Sequence, residues 1–386
     1  MEVLIQTLMR KKTFIRSLQK SRVCLTLPYV PHYVAAPPTK ENLEYADLAI
    51  IDISKAATEE SRAGLAIELR EALLNNGFFY VVNHGHSKAQ TARMFDIADV
   101  PFSAVTDEEK ETGSVQGYTL LQYTDIDGRV RDQLEQYSTN RDVTERRHPE
   151  ALRPLLPEIQ EFNKHNHFNV LHPILRLIAH SLERPEDTLV NNHDYDAVGE
   201  TAGTYVSSSS CLRFIKYYPR TEEEEIETKN VWLRGHTDLG SITILWSQPV
   251  AALQIQTREG EWRWIRHLEN ALVVNAGDTM EFLSGGYYKG TIHRVVQPPV
   301  DQRNYTRLGV FYFSMPNDDV RLVPMVESPV LKRVGIQRRC DDSEAPTMEQ
   351  WRKTRSRAYD HSKLKGGNEK GIEDEIIDGV VVKHYN

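Results

Sequence analysis

From about residue 203 the chain breaks into short apolar segments separated by turns, and this rhythm constrains the fold more than any other feature. Leu212–Tyr218, Ser241–Trp246, Leu253–Gln256, Ala271–Val274, Ile292–Val296 and Arg307–Phe313 are all strand-length and rich in β-branched or aromatic residues. Several such segments at close spacing predict a sandwich or barrel. The first half reads differently. Leu48–Ser54 is a short buried strand, a helix is expected over roughly 58–75, and Gly77–Asn83 is a second strand, giving a strand–helix–strand unit. A longer helix is expected over roughly 157–183, with Phe162, Phe168, Leu171, Leu175, Ile178 and Leu182 on its apolar face. The acidic run Glu222–Glu225 reads as a solvated loop, and 345–365 as a polar, basic terminal helix. The expected architecture is α+β and mostly β: a mixed α/β and helical region packed on an all-β core. The boundaries are an extension over 1–45, the mixed region over 46–200, the β core over 201–325 and a tail with a helix over 326–386.

Bulk properties narrow the function. A 386-residue chain with 40% hydrophobic and 26% charged residues can bury a sizeable core. Its net charge of −8 argues against an extended nucleic-acid surface. No run of 18 apolar residues suggests a membrane span. Cys24, Cys211 and Cys340 are far apart and odd in number, which fits a reducing compartment and neither a disulfide framework nor a cysteine metal site. Residues 1–26 carry Arg10, Lys11, Lys12, Arg16, Lys20 and Arg22 against the single acid Glu2. This reads as an extension before the domain of a cytoplasmic protein, with a mitochondrial presequence as the alternative.

The stretch richest in chemistry is Leu233-Arg-Gly-His236-Thr-Asp238. On an extended segment, residues two apart point the same way, so His236 and Asp238 can meet one metal ion. His293, on another strand-like segment, can supply a second imidazole. Two histidines and one carboxylate on one face of iron leave three positions open, the facial triad of non-haem Fe(II) oxygenases. Taken alone, His-x-Asp reads more simply as a surface strand with two polar residues facing water. Arg307 adds weight. It opens a predicted strand, where a buried guanidinium needs an acid, and its planar fork suits the carboxylate of a bound dicarboxylate. Gly309, Phe311 and Phe313 share its face by alternation, as one wall of a pocket for an apolar substrate.

Other histidines read differently. His84 and His86 have ligand-like spacing but follow a strand with no acid nearby, which favours structural or surface roles. His165 and His167 fall on different faces of the long helix, and His193, Asp194 and Asp196 lie in a polar loop. The sequence has no Gly-rich phosphate loop, no Gly-x-Ser-x-Gly elbow and no Cys-x-x-Cys.

These residues resemble the Fe(II)/2-oxoglutarate dioxygenases of the isopenicillin N synthase type, over about 45–320. The resemblance runs through Ala49-Ile-Ile-Asp-Ile-Ser54, Gly77-Phe-Phe-Tyr-Val-Val-Asn-His-Gly85, Lys216-Tyr-Tyr-Pro219, Gly235-His-Thr-Asp-Leu-Gly-Ser-Ile-Thr-Ile-Leu245, Asn275-Ala-Gly-Asp278, Ser284-Gly-Gly-Tyr-Tyr288 and His293-Arg-Val295. It implies a double-stranded β-helix, or jelly-roll, core. It also implies Fe(II) on His236, Asp238 and His293, with 2-oxoglutarate and O2 as co-substrates. Tyr218 and Arg307 would hold the far carboxylate of 2-oxoglutarate, and Phe313, with Phe311, would face a small organic substrate of specialised metabolism. Asn275 and Asp278 look like residues that fix a strand junction. The outcome would be hydroxylation, desaturation or ring closure, with no nucleic-acid or membrane partner.

Three departures stand out: Arg307-Leu-Gly309 replaces the family's Arg-x-Ser, Lys216 replaces an Asn before the paired tyrosines, and the gap between His293 and Arg307 is longer than usual. Arg303 therefore competes with Arg307 on spacing, but it lies in a stretch with Pro298, Pro299 and Asp301 that reads as a hairpin loop. Two other readings remain open on sequence: an iron oxidase of the same fold that needs no 2-oxoglutarate, and a non-catalytic jelly-roll binding protein.

Overall fold

The computed structural model describes residues 27–111, 117–119, 125–127, 130–195, 210–361, 365–366, 372–377 and 380–385. The basic N-terminal segment, Cys24 and Asp196 lie outside these. Contacts divide the chain between Pro31 and His32, and every described helix and strand belongs to the unit beginning at His32.

The strands are β1 (Ile50–Asp52), β2 (Phe78–Val82), β3 (Tyr118–Thr119), β4 (Asp125–Asp127), β5 (Val130–Arg131) and β6 (Leu134–Thr139), then β7 (Cys211–Tyr217), β8 (Val231–His236), β9 (Ile242–Trp246), β10 (Leu253–Gln256), β11 (Trp262–Trp264) and β12 (Leu272–Ala276). β13 (His293–Val296), β14 (Arg307–Ser314), β15 (Lys365–Gly366), β16 (Ile372–Ile377) and β17 (Val380–Tyr385) complete them. Among the described residues, an eight-stranded sheet runs β1-β2-β12-β9-β14-β7-β6-β3 and a seven-stranded sheet runs β11-β10-β13-β8-β17-β16-β15; β4 and β5 pair apart. The sheets face each other. Phe78, Tyr80, Leu245 and Val273 from the large sheet pack with Leu253 and Ile255 from the small one. Leu134, Ile215 and Tyr217 pack in the same way with Trp232 and Val295. Each fully buried side chain of this size contributes about 1.5–3 kcal/mol of burial. The jelly-roll expectation is met.

The N-terminal region supplies the edge of the large sheet. Helix α1 (Glu59–Asn75) starts at a capping box between Thr58 and Ser61 and crosses between the parallel strands β1 and β2. Gly77 reverses the chain into β2 with φ +66°, and a Cβ there would lie 2.1 Å from Thr291 Oγ1. Helix α2 (Lys88–Ser103) follows with its own capping box, Ser87 and Gln90.

The outer face of the large sheet is covered by the expected long helix, which forms in three pieces. Helix α3 (Leu156–Lys164) opens into a π-helical turn over His165–Leu171, and helix α4 (His172–Ser181) continues. The wider turn changes the phase of the apolar pattern. Phe162, Leu171, Leu175, Ile178 and Leu182 are buried as expected, but Phe168 is rotated out and 44% exposed. The acidic run is also a correction. Glu222–Glu227 is a short helix capped by Thr221, and Glu225 is buried, accepting a hydrogen bond of 2.7 Å from Trp232 Nε1. The terminal helix α5 (Met348–His361) forms where expected, yet it buries Trp351, Arg352 and Arg355 against the domain.

Candidate active site

His236 ends β8 and His293 begins β13, and the two are direct cross-strand partners. Asp238 follows two residues after His236, in a turn tied to the large sheet by the Asp278 N–H donating to its carbonyl at 2.7 Å. One ligand atom from each of the three residues lies within 4.8 Å of the others. His236 Nε2 is 4.0 Å and His293 Nε2 3.7 Å from Asp238 Oδ1. The other ring nitrogens are engaged: His236 Nδ1 lies 2.8 Å from the Arg234 carbonyl and His293 Nδ1 3.0 Å from the Thr291 carbonyl. A carbonyl can only accept, so each Nδ1 carries the proton and each Nε2 presents its lone pair toward Asp238, the usual orientation of metal-binding imidazoles. Burial, with His293 adjacent, pushes His236 down to about 4. Burial alone would raise Asp238, but His293, His236, Asn275 and Thr243 together hold it below the usual carboxylate range. The set is thus two imidazoles, each with its Nε2 turned to the third member, and one carboxylate, the donor chemistry that Fe(II) takes.

Asn275, which the sequence reading gave only a strand-junction role, also reaches this cluster. It lies on β12, and its Nδ2 donates to Asp238 Oδ2 at 2.8 Å. The available signal was a polar residue in an otherwise apolar strand. Asp278 fits the junction role, accepting from Thr237 Oγ1 at 2.8 Å and lying 3.5 Å from Arg355.

The strand register determines which side chains share the inner face of the large sheet with this cluster. Thr243 pairs with Asn275 and with Phe313, so all three share the inner face of the large sheet. Arg307, Gly309 and Phe311 alternate onto that face along β14. Phe311 and Phe313 stack with ring centroids 5.6 Å apart and planes 10° apart. Arg307 is 2% exposed. Among the described residues its Nε and Nη1 are buried without a hydrogen-bond partner, and no carboxylate lies within ion-pair distance. Its nearest stabilising groups are the phenols of Tyr217 and Tyr33, and burial holds its pKa below the ordinary guanidinium value. Arg303, by contrast, is exposed in the loop before β14.

Tyr218 sits elsewhere. Arg307 pairs with Tyr217, and the Arg307 guanidinium lies 5.3 Å from the Tyr217 ring. Tyr218 donates to Glu135 Oε2 at 2.6 Å, beside Lys216, which itself pairs with Asp99 at 2.7 Å. Alternation along β7 therefore brings Tyr217, not Tyr218, to Arg307, and turns Lys216 away from the pocket.

Comparison with known proteins agrees with this geometry. Residues 208–316 match the 2OG-Fe(II) oxygenase superfamily and residues 48–158 match the non-haem dioxygenase in morphine synthesis N-terminal family. Jasmonate-induced oxygenase 3 of Arabidopsis thaliana is 27% identical over 320 residues, covering 76% of this chain and 80% of that protein. The 2-oxoglutarate-dependent dioxygenase citB of Monascus ruber is 28% identical, covering 73% of this chain and 85% of the relative. The fold matches full-length Neurospora crassa T7H in complex with alpha-KG, with a TM-score of 0.65 at 22% identity, over 79% of this chain and 94% of that one. It also matches JOX2 in complex with 2OG, Fe and JA, with a TM-score of 0.63 at 22% identity, over 88% and 91%. The two matches, one over the N-terminal region and one over the β core that carries the triad, make this chain a member of the 2OG-Fe(II) oxygenase superfamily, an Fe(II)/2-oxoglutarate-dependent dioxygenase.

Proposed function

We propose that His236, Asp238 and His293 hold the Fe(II), that Arg307 beside Tyr217 receives the far carboxylate of 2-oxoglutarate, and that Phe311 and Phe313 wall the substrate. Bound iron supplies the chemistry by which O2 and 2-oxoglutarate, giving succinate and CO2, oxidise a substrate carbon. The protein's own residues position and exclude. The backbone carbonyls on His236 and His293 orient both rings, and Asn275 fixes Asp238 so that one carboxylate oxygen remains for the metal. The fork of Arg307 suits a carboxylate in two parallel hydrogen bonds. The stacked phenylalanines keep water from the substrate side of the pocket and favour a largely apolar molecule.

One observation carries this reading. A buried guanidinium with two unpartnered nitrogens and no carboxylate is a site waiting for an anion. It favours 2-oxoglutarate use over an oxidase that takes all its electrons from the substrate. The names of relatives, such as scopoletin 8-hydroxylase and gibberellin 20 oxidase 2, support a substrate of specialised metabolism and an outcome of hydroxylation, desaturation or ring closure. No described helix is long and apolar enough to cross a membrane, and Cys211 and Cys340 are free thiols, which supports a cytoplasmic location.

The test is anaerobic addition of Fe(II) and then 2-oxoglutarate. A weak visible charge-transfer band should appear only with both. On admission of O2 with a substrate from a metabolite panel, succinate should form in step with product. Iron binding without the band or succinate would leave the oxidase reading, and no iron binding would leave the non-catalytic one.

A further inference from the structure

A second group of three histidines converges outside the candidate iron site. β2 ends at Val82, and the chain then turns sharply, with Asn83 at φ +54° and Gly85 at φ +97°. The turn places His84 and His86 beside each other. The third imidazole comes from the long helix, where regular α-helix gives way to the π-helical turn at His165. Such turns are rare and concentrate at functional sites. A Cβ on Gly85 would lie 3.3 Å from His165 Cε1, so the turn and the helix are packed in contact.

One ring nitrogen from each of His84, His86 and His165 lies within 4.8 Å of the others. His84 Nε2 is 3.0 Å from the Asn270 carbonyl, which fixes the proton on Nε2 and leaves the Nδ1 lone pair. That Nδ1 has only the His86 N–H, at 3.5 Å, the outer limit of a hydrogen bond. His86 Nδ1 and His165 Nε2 are buried and have no hydrogen-bond partner, and the Asn169 side-chain amide, 3.3 Å from His165 Nδ1, holds the proton on that nitrogen and leaves the Nε2 lone pair free when its oxygen is turned to the ring. Buried ring nitrogens without partners are uncommon, and an ion is one of the few things that satisfies several at once. Trp246 and Phe162 wall the group, with ring centroids 5.6 Å and 5.5 Å from His86. Trp246 belongs to the outer face of the large sheet, the side away from the iron triad.

We propose that His84, His86 and His165 form a second metal site, separate from the iron centre, for a borderline divalent ion and above all Zn(II). The donor set decides the ion. Three neutral imidazoles without a carboxylate suit zinc, which accepts three histidines and leaves a fourth position open. Fe(II) binds a given nitrogen site less tightly than zinc and gains from the carboxylate that only the first triad offers. Zinc here would clamp the turn after β2 to the helix behind the large sheet.

Zinc titration of the full chain carrying Asp238→Ala and His293→Ala tests this, because those changes remove zinc binding at the first triad. One equivalent of zinc should still bind, and Co(II) in its place should show the intense visible bands of a four-coordinate site. Adding His86→Gln or His165→Gln should weaken zinc binding at least tenfold and abolish those bands. A folded Asp238→Ala/His293→Ala chain, checked by near-ultraviolet circular dichroism, that binds no zinc equivalent would overturn the proposal. So would zinc binding unchanged by both histidine substitutions. If His86→Gln does not fold, His165→Gln and the zinc count of the parent double variant decide.

Discussion

The ring of Phe311 occupies the space that a side chain on Gly309 would need: a Cβ there would lie 2.4 Å from Phe311 Cε2 and 3.0 Å from Cζ. The missing hydroxyl of the Arg-x-Ser pattern and the large aromatic two residues later are therefore one feature. Gly309→Ser should not restore a co-substrate contact. It should displace Phe311 and destabilise the protein by about 1–3 kcal/mol, the usual range for overpacking. Adding Phe311→Ala should recover part of the loss, with a coupling of at least about 0.5 kcal/mol between the two positions. Denaturant melts of the two single variants and the double variant measure it, and simple additivity would disprove the coupling.

Arg307→Ala should raise the 2-oxoglutarate requirement by at least about tenfold, since losing a charge-assisted contact costs about 2–5 kcal/mol and 1.4 kcal/mol is already a factor of ten. Arg303→Ala should change it little, because Arg303 is exposed. Titration of 2-oxoglutarate against both variants checks the pair. A large loss at Arg303 with a small one at Arg307 would contradict the assignment.

Asn275→Ala removes the only side-chain amide on Asp238 Oδ2 among the hydrogen bonds described. Iron affinity should fall about 10–100-fold, as for loss of other groups that hold a metal ligand in place. His236→Ala, Asp238→Ala and His293→Ala should each cost far more, since each removes a donor. Iron content after dialysis against graded chelator ranks the four, and Asn275→Ala matching the parent would show that Asp238 is positioned without it.

Acid should unfold the protein well above the carboxylate range. Burial pushes His193 down to about 4 while it is held by the Leu189 carbonyl and Ser241, and burial lowers His148 in the same way. An unfolded histidine titrates near 6.5. Below that value the unfolded chain takes up protons that the native His193 refuses, so stability falls from pH 6.5 toward 4. Each such histidine contributes a slope approaching about 1.4 kcal/mol per pH unit. Unfolding free energies at pH 7.5, 6 and 5 should show the decline; a flat profile over that window would refute it.

Much of this was legible in the chain because it depends on local periodicity. Two-residue alternation put His236 and Asp238 on one side and aligned Arg307 with Phe311 and Phe313, and an apolar run bounded by turns marked β7, β9, β10, β12, β13 and β14. Pro298 and Pro299 mark a loop around Arg303 and so separate it from Arg307, which opens the strand. Tertiary structure decided what alternation cannot. Whether Tyr217 or Tyr218 meets Arg307 depends on how β7 is registered against β14, and a one-residue change moves every side chain to the other face. Asn275 reaches Asp238 only because β12 lies beside β9, a neighbour relation that strands 30 residues apart in sequence do not announce. His165 joins His84 and His86 because a π-helical turn changes the phase of a helix that composition alone reads as regular. Local pattern determines which face a residue takes within its own element; packing between elements determines which faces meet.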